Sequence, residues 1–105
     1  MMDFNYQQLD KTLHARIRFA ALAYLQAVDH ASFVEIRESI KATDGNLSVH
    51  MRKLESAGYI HCDKGFQSRK PQTLYSITGE GRTALLNYRE RVSEFFQPPS
   101  GFQPA

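Results

Sequence analysis

The amino-acid sequence predicts an α+β fold that is mainly α: extended terminal helices around two short helices and a two-stranded β-hairpin. Three observations carry this expectation. Residues 9–28 and 78–96 place apolar side chains at helical spacing over lengths that strands rarely reach. Residues 43–58 hold a shorter helical stripe that opens on Thr43-Asp44 and closes on Gly58. From Tyr59 to Ile77 the period changes to two, around a segment containing Gly65 and Pro71.

Each element has its own local argument. Leu9, Leu13, Ile17, Ala20, Ala21, Tyr24 and Val28 make one wide stripe, which Phe19, Leu22 and Leu25 extend around the helix. Apolar surface on more than one side suits packing against the domain and against a second subunit. A bend near His14-Ala15 would divide this region into a short helix and a longer one. Asp29-His30-Ala31 reads as a turn, and Ser32 with Glu35 three residues on reads as a capping box. Phe33, Ile36 and Ile40 then face inward, and Lys41-Ala42 forms a tight turn into Thr43. In the next helix Leu47, Met51 and Leu54 form the inner stripe. Tyr59 to Lys64 and Gln72 to Ile77 are the expected strands, with residues 64–71 as the loop between them. Thr78 caps a last helix carrying Ala84, Leu85, Tyr88, Val92, Phe95 and Phe96, which Gln97-Pro98-Pro99 ends. Residues 1–97 are thus one domain, and 98–105 a flexible tail.

Two short helices joined by a tight turn, the second amphipathic and followed by a basic hairpin, predict a winged helix-turn-helix. The outward face of the second helix fits that reading. Gly45, Ser48, Val49 and Arg52 lie opposite the apolar stripe, flanked by Thr43, Asn46 and Lys53. Small, polar and cationic side chains suit close approach to a DNA groove and its phosphates. Asn46 can read adenine and Arg52 guanine, both through paired hydrogen bonds, and Val49 can touch a thymine methyl. A glycine inside a surface helix costs about 1 kcal/mol against alanine, which favours a close-approach role for Gly45. His50 sits at the edge of the apolar stripe and is expected to be half-buried rather than a base reader. In the wing, Lys64, Gln67, Ser68, Arg69 and Lys70 surround Phe66, and Arg69 is the candidate for a narrow minor groove.

Charge supports the same region. The net charge is only +2, but from Lys41 to Pro71 there are six Lys or Arg against three Asp or Glu.

The 43–60 string T-D-G-N-L-S-V-H-M-R-K-L-E-S-A-G-Y-I resembles the recognition helix and first wing strand of bacterial and archaeal winged-helix regulators. The small stand-alone group near the MarR and ArsR families is the most similar. Arg69-Lys70-Pro71, then Thr73-Leu74-Tyr75-Ser76-Ile77-Thr78, then Gly81-Arg82 follow in that group's order, so the resemblance spans roughly residues 9–96. It implies a winged-helix fold, double-stranded DNA as partner, and repression as the commoner outcome. It implies neither an operator nor an effector.

Other classes are weaker. A chain of 105 residues is one domain with a modest core. No apolar run approaches the roughly 18 residues of a membrane helix. The start M-M-D-F-N-Y-Q-Q lacks the order of a signal peptide, so a cytoplasmic protein without a membrane partner is expected. Cys62 is the single cysteine, and adjacent His61-Cys62 on a strand point to opposite faces, so no metal site or other cofactor is expected. No phosphate loop, nucleophile elbow or paired-carboxylate site points to an enzyme. The expectation is a homodimeric, sequence-specific DNA-binding regulator. Its dimer contacts would come from Leu9, Leu13, Phe19 and Leu22 in the first helix and from Leu85, Tyr88, Val92, Phe95 and Phe96 in the last. The alternative is a winged-helix module for protein–protein contact; single-stranded RNA binding would have only Phe66 in the wing to stack on.

Overall fold

Asp10 decides how the chain begins. In the computed structural model, which describes residues 4–99 and 101–105, its Oδ1 accepts the Leu13 amide at 3.0 Å and its Oδ2 accepts the Tyr59 hydroxyl at 2.5 Å. A carboxylate that satisfies a nearby amide competes with the helical ladder. The expected helix over residues 9–28 is therefore divided, as the bend near His14-Ala15 anticipated, but its first part is not an α-helix. A 3-10 turn covers Tyr6–Gln8, turns follow, and α1 runs Arg16–Val28 after an extended Ala15. The turn drives Leu13 into the interior, where it is fully buried.

Asp29, at φ 71°, ends α1. The next residues are not a simple turn, as the sequence suggested, but a strand, β1 (His30–Ser32). Ser32 then starts α2 (Phe33–Ile40) with both hydrogen bonds of the capping box: its Oγ accepts from the Glu35 amide, and Glu35 accepts from the Ser32 amide. Those bonds hold the Glu35 carboxyl below its usual pKa. Lys41 turns the chain in the left-handed region, and α3 (Asp44–Ser56) begins at Thr43, whose hydroxyl accepts the Asn46 amide at 3.3 Å. Leu47, Met51 and Leu54 are buried as the stripe required. The helix ends as expected at Gly58, φ 82°. The Tyr59 amide reaches the Leu54 carbonyl at 3.0 Å and the Gly58 amide the Glu55 carbonyl at 2.9 Å, the paired bonds of a Schellman end.

β2 (Ile60–Gln67) and β3 (Lys70–Ile77) pair antiparallel along their whole lengths, from Ile60↔Ile77 to Gln67↔Lys70. The loop expected over residues 64–71 is thus mostly strand. The turn is Ser68-Arg69 alone, both at positive φ (50° and 68°), as a two-residue hairpin turn that follows the sheet twist requires. β1 pairs with β3 through His30↔Ser76, Ala31↔Tyr75 and Ser32↔Leu74, so the sheet has three strands in the order β1-β3-β2, not two. Pro71 is accommodated because β1 ends short of it, leaving β3 an open edge there.

Thr78 caps α4 (Gly79–Glu94), accepting the Gly81 amide at 3.0 Å and donating its hydroxyl to the Gly58 carbonyl at 2.7 Å. Gly81 is buried against the Tyr59 carbonyl, which a Cβ would meet at 2.2 Å. The core gathers Leu13 with side chains from α1 through β3: Leu22, Leu25, Ala31, Ile36, Leu47, Met51, Leu54, Ile60 and Tyr75. α4 packs against it through Ala84, Leu85 and Tyr88, and is tied to α1 by the Phe19–Tyr88 ring pair at 5.6 Å and by Arg82, which bonds Asp29 and Gln26. The molecule is elongated, 66 × 25 × 20 Å.

Candidate nucleic-acid interface

The outward face of α3 is the face the apolar stripe leaves free. Thr43, Gly45, Asn46, Val49, Arg52 and Lys53 are exposed, and Ser48 is half-buried with its hydroxyl donating to the Gly45 carbonyl at 3.2 Å. Gly45 is informative because the fold does not require it. Its backbone is ordinary helix, and a Cβ there would meet nothing within 4 Å. The acid at the start of this face, Asp44, is held by Arg37 of α2 at 2.6 Å, and the same contact raises the Arg37 pKa. That pairing offsets the Asp44 charge at the helix start and ties the two helices together. Sequence reasoning did not single out Arg37; its spacing to Asp44 becomes a contact only through the left-handed turn at Lys41.

His50 is half-buried, as expected. Its Nδ1 accepts from the Arg18 guanidinium at 2.8 Å. Burial pushes its pKa down, and the neighbouring charges of Arg18 and Lys53 push it further the same way.

In the wing, Lys64, Gln67, Ser68, Arg69 and Lys70 are all exposed, and Phe66 is 77% exposed. The Gln72 side-chain Nε2 donates to Oε1 of Gln67 at 2.7 Å, linking the two strands just before the turn. Ser68 and Arg69 occupy a left-handed backbone region that glycine or asparagine normally supplies. The strained pair holds the Arg69 side chain at the extreme tip. Beside the tip lies an open groove of about 550 Å³, bordered by Ser32, Phe33 and Val34 of the α2 start rather than by α3.

Charge pairing separates the cations into two groups. Arg37, Arg82 and Arg91 each hold a carboxylate. Arg52, Lys53, Lys64, Arg69 and Lys70 hold none among the described residues. Unpaired cations on a helix face and a hairpin tip are available to an external polyanion.

Residues 17–96 match the family of winged helix DNA-binding domains. The chain belongs to that family. An uncharacterized protein of Methanocaldococcus jannaschii is 33% identical over 78 residues, 74% of this chain and 85% of that protein. Among solved structures, a transcriptional regulator homologue from Pyrococcus horikoshii OT3 superposes with a TM-score of 0.74 at 26% identity, covering 80% of this chain and 83% of its own. A MarR-family regulator from Silicibacter pomeroyi shares the fold, with a TM-score of 0.59 at 19% identity over 86% of this chain and 60% of that one.

Within this winged-helix domain, the side chains expected at a dimer interface fall into three sets. Leu13 and Leu22 are fully buried in the domain's own core and cannot face a partner; the stripe that suggested them is the inner face of the bundle. Leu85 and Tyr88 are partly buried against that core, and Leu9, Val92 and Phe95 are half-buried. Phe95 meets Phe4 edge-on at 5.9 Å. Phe19 (41%) and Phe96 (84%) are exposed, as is Leu86 (46%), which the sequence reading did not name. Phe19, Leu85 and Leu86 border a shared groove between α1 and α4.

The remaining chemistry is quiet. Burial raises the Cys62 thiol pKa, with Glu55 adding to the effect, so the reactive thiolate is disfavoured. Burial, with Asp10 adding to it, pushes the Tyr59 hydroxyl up to about 12. Among the described residues no group of three His, Cys, Asp or Glu is placed to hold a metal, and no helix is long and apolar enough to cross a membrane.

Proposed function

We propose that the chain is a homodimeric, sequence-specific DNA-binding transcriptional regulator that acts in the cytoplasm by occupying its operator and excluding polymerase. The observation that carries the proposal is the α3 face: exposed, unpaired in charge, and built around a glycine that the fold does not need. On this reading Asn46, Val49 and Arg52 contact base edges, Ser48 and Thr43 hold the helix start against the groove, and Lys53 contacts phosphate. Lys64 and Lys70 grip the flanking backbone, Gln67 and Ser68 shape the tip, and Arg69 enters the minor groove. The exposed apolar groove at Phe19, Leu85 and Leu86, with Phe96 beyond it, is where a second copy would dock, leaving α3 and the wing free. The solved Pyrococcus horikoshii relative is itself described as a transcriptional regulator homologue, which supports the regulatory role.

Selection of bound fragments from random duplex DNA tests the proposal. A two-fold symmetric motif with half-sites about one helical turn apart is expected. A single asymmetric half-site would remove the dimer, and no enrichment over unselected DNA would remove sequence reading and favour protein–protein contact.

A further inference from the structure

The turn that Asp10 imposes before α1 has a second effect: it lays Lys11, Thr12 and Arg18 along the outward side of α3. Together with Arg52, Lys53 and Ser56 they border an open groove of about 590 Å³. Four of these six side chains are cations, no carboxylate borders the groove, and none of the four has an ion-pair partner among the described residues. Arg18 is also oriented in advance. Its Nε donates to the Thr12 carbonyl at 2.6 Å, and its Nη1 donates to His50 Nδ1 at 2.8 Å. Both partners are neutral acceptors, so the guanidinium is fixed in place while its charge stays uncompensated. The second terminal nitrogen makes no bond among the described residues. A fixed guanidinium with free donors is the preferred group for a phosphate.

We infer that this groove is a seat for a backbone phosphodiester of the bound duplex, held by Lys11 and Arg18 from the N-terminal turn and α1, and by Lys53 from α3. The inference rests on the DNA reading above and extends it: the N-terminal segment, and not only α3 and the wing, contacts the duplex. The backbone strand beside the groove that α3 reads would lie between α3 and residues 11–18. Arg52, at the border of the seat, is then steered towards the bases, because the phosphate is already neutralised by its neighbours. Affinity for duplexes of any sequence would then depend on the N-terminal turn, and through it on the Asp10–Tyr59 bond that holds the turn against the domain.

The test compares the intact wild-type chain with Lys11→Gln, Arg18→Gln and the double variant, on the selected duplex and on a scrambled one, across a salt series. Each phosphate contact contributes about 0.9 to the slope of log affinity against log salt. The double variant is expected to lose roughly 2 units of slope, equally on both duplexes, with the ratio between duplexes unchanged. Lys11 makes no hydrogen bond or ion pair among the described residues, so Lys11→Gln reads the contact without disturbing the fold. Arg18→Lys keeps the charge and is expected to restore most of the slope; failure to restore it with a lowered melting temperature would mean that Arg18 only braces Thr12 and His50. A full slope in the double variant overturns the seat while leaving DNA binding intact. Absence of salt-dependent binding by the wild-type chain overturns the DNA reading and the seat with it. Inorganic phosphate alone, followed by the amide shifts of Thr12 and Lys53 at constant ionic strength, is expected to bind only at concentrations on the order of tens of millimolar. Saturation far below that, with duplex slopes unaffected by the substitutions, would assign the groove to a free anion and overturn the proposal.

Discussion

Gly45 lies in the first turn of α3, and a methyl group added there would meet nothing within 4 Å. Gly45→Ala should therefore have opposite effects on folding and on binding. Alanine is favoured over glycine in a helix by about 1 kcal/mol, and no clash offsets that gain. Part of it is lost because the site is in the first turn, where fewer backbone bonds depend on the residue. A stabilisation of up to about 1 kcal/mol corresponds to a rise in melting temperature of roughly 4–8 °C for a domain of this size. On the proposed mode of binding, the same methyl would intrude between the helix backbone and the groove floor. Overpacking of a close interface costs about 1–3 kcal/mol, or about fivefold to over a hundredfold in affinity. Thermal unfolding followed by circular dichroism and fluorescence anisotropy with a selected duplex measure the two quantities on one preparation. Unchanged affinity in a stabilised variant would show that the Gly45 face does not approach the groove. Lost stability would show that the open space is filled by a neighbour.

Gly81→Ala should behave in the contrary way, destabilising by about 1–3 kcal/mol in chemical denaturation because its Cβ would sit 2.2 Å from the Tyr59 carbonyl. Gly79→Ala, two residues earlier in open space, should be neutral or slightly stabilising. Arg52→Ala should cost about 1–3 kcal/mol on the selected duplex and little on random DNA; equal losses would make Arg52 a phosphate contact. His50 favours its neutral form in the folded chain, through burial first and then Arg18 and Lys53. Its folded pKa lies below the ordinary 6.5, so the unfolded chain binds more protons between the two values. Stability should therefore fall as pH drops from about 6.5 towards the folded-state value, and His50→Gln should flatten that part of a denaturation-versus-pH series.

What the sequence made legible was local. The Thr43 cap, the Leu47-Met51-Leu54 stripe and the Gly58 stop lie within one helix length of each other, and the structure places each as expected. The same holds for the Ser32–Glu35 box and the Thr78 cap. The readings that changed depend on partners far along the chain. β1 has only three residues, too few to show a period of two, and exists because Ala31 finds Tyr75. Asp10 looks like any polar residue on a helix until Tyr59 folds back onto it. The wing loop is shorter than expected because its two left-handed residues are Ser68 and Arg69, whereas Gly65 and Pro71, the usual turn residues, sit inside the strands. Leu13 and Leu22 were assigned to a partner surface because an apolar stripe has no label for which neighbour covers it. Lys11 and Arg18 were hidden by the apolar residues around them, and only the turn at Asp10 brings them beside α3.

The central claim is that the outward face of α3 carries sequence preference while contributing little to the fold. Its most direct test is the ratio of affinities for a selected and a scrambled duplex, measured at one fixed salt concentration. The wild-type chain is compared with a variant in which Asn46, Val49 and Arg52 are all alanine. All three side chains are exposed, so the melting temperature should be nearly unchanged. The account predicts that the wild-type ratio is on the order of a thousand or more and that it falls to near unity in the variant. A variant that stays folded and keeps the wild-type ratio would contradict the account and move recognition away from α3.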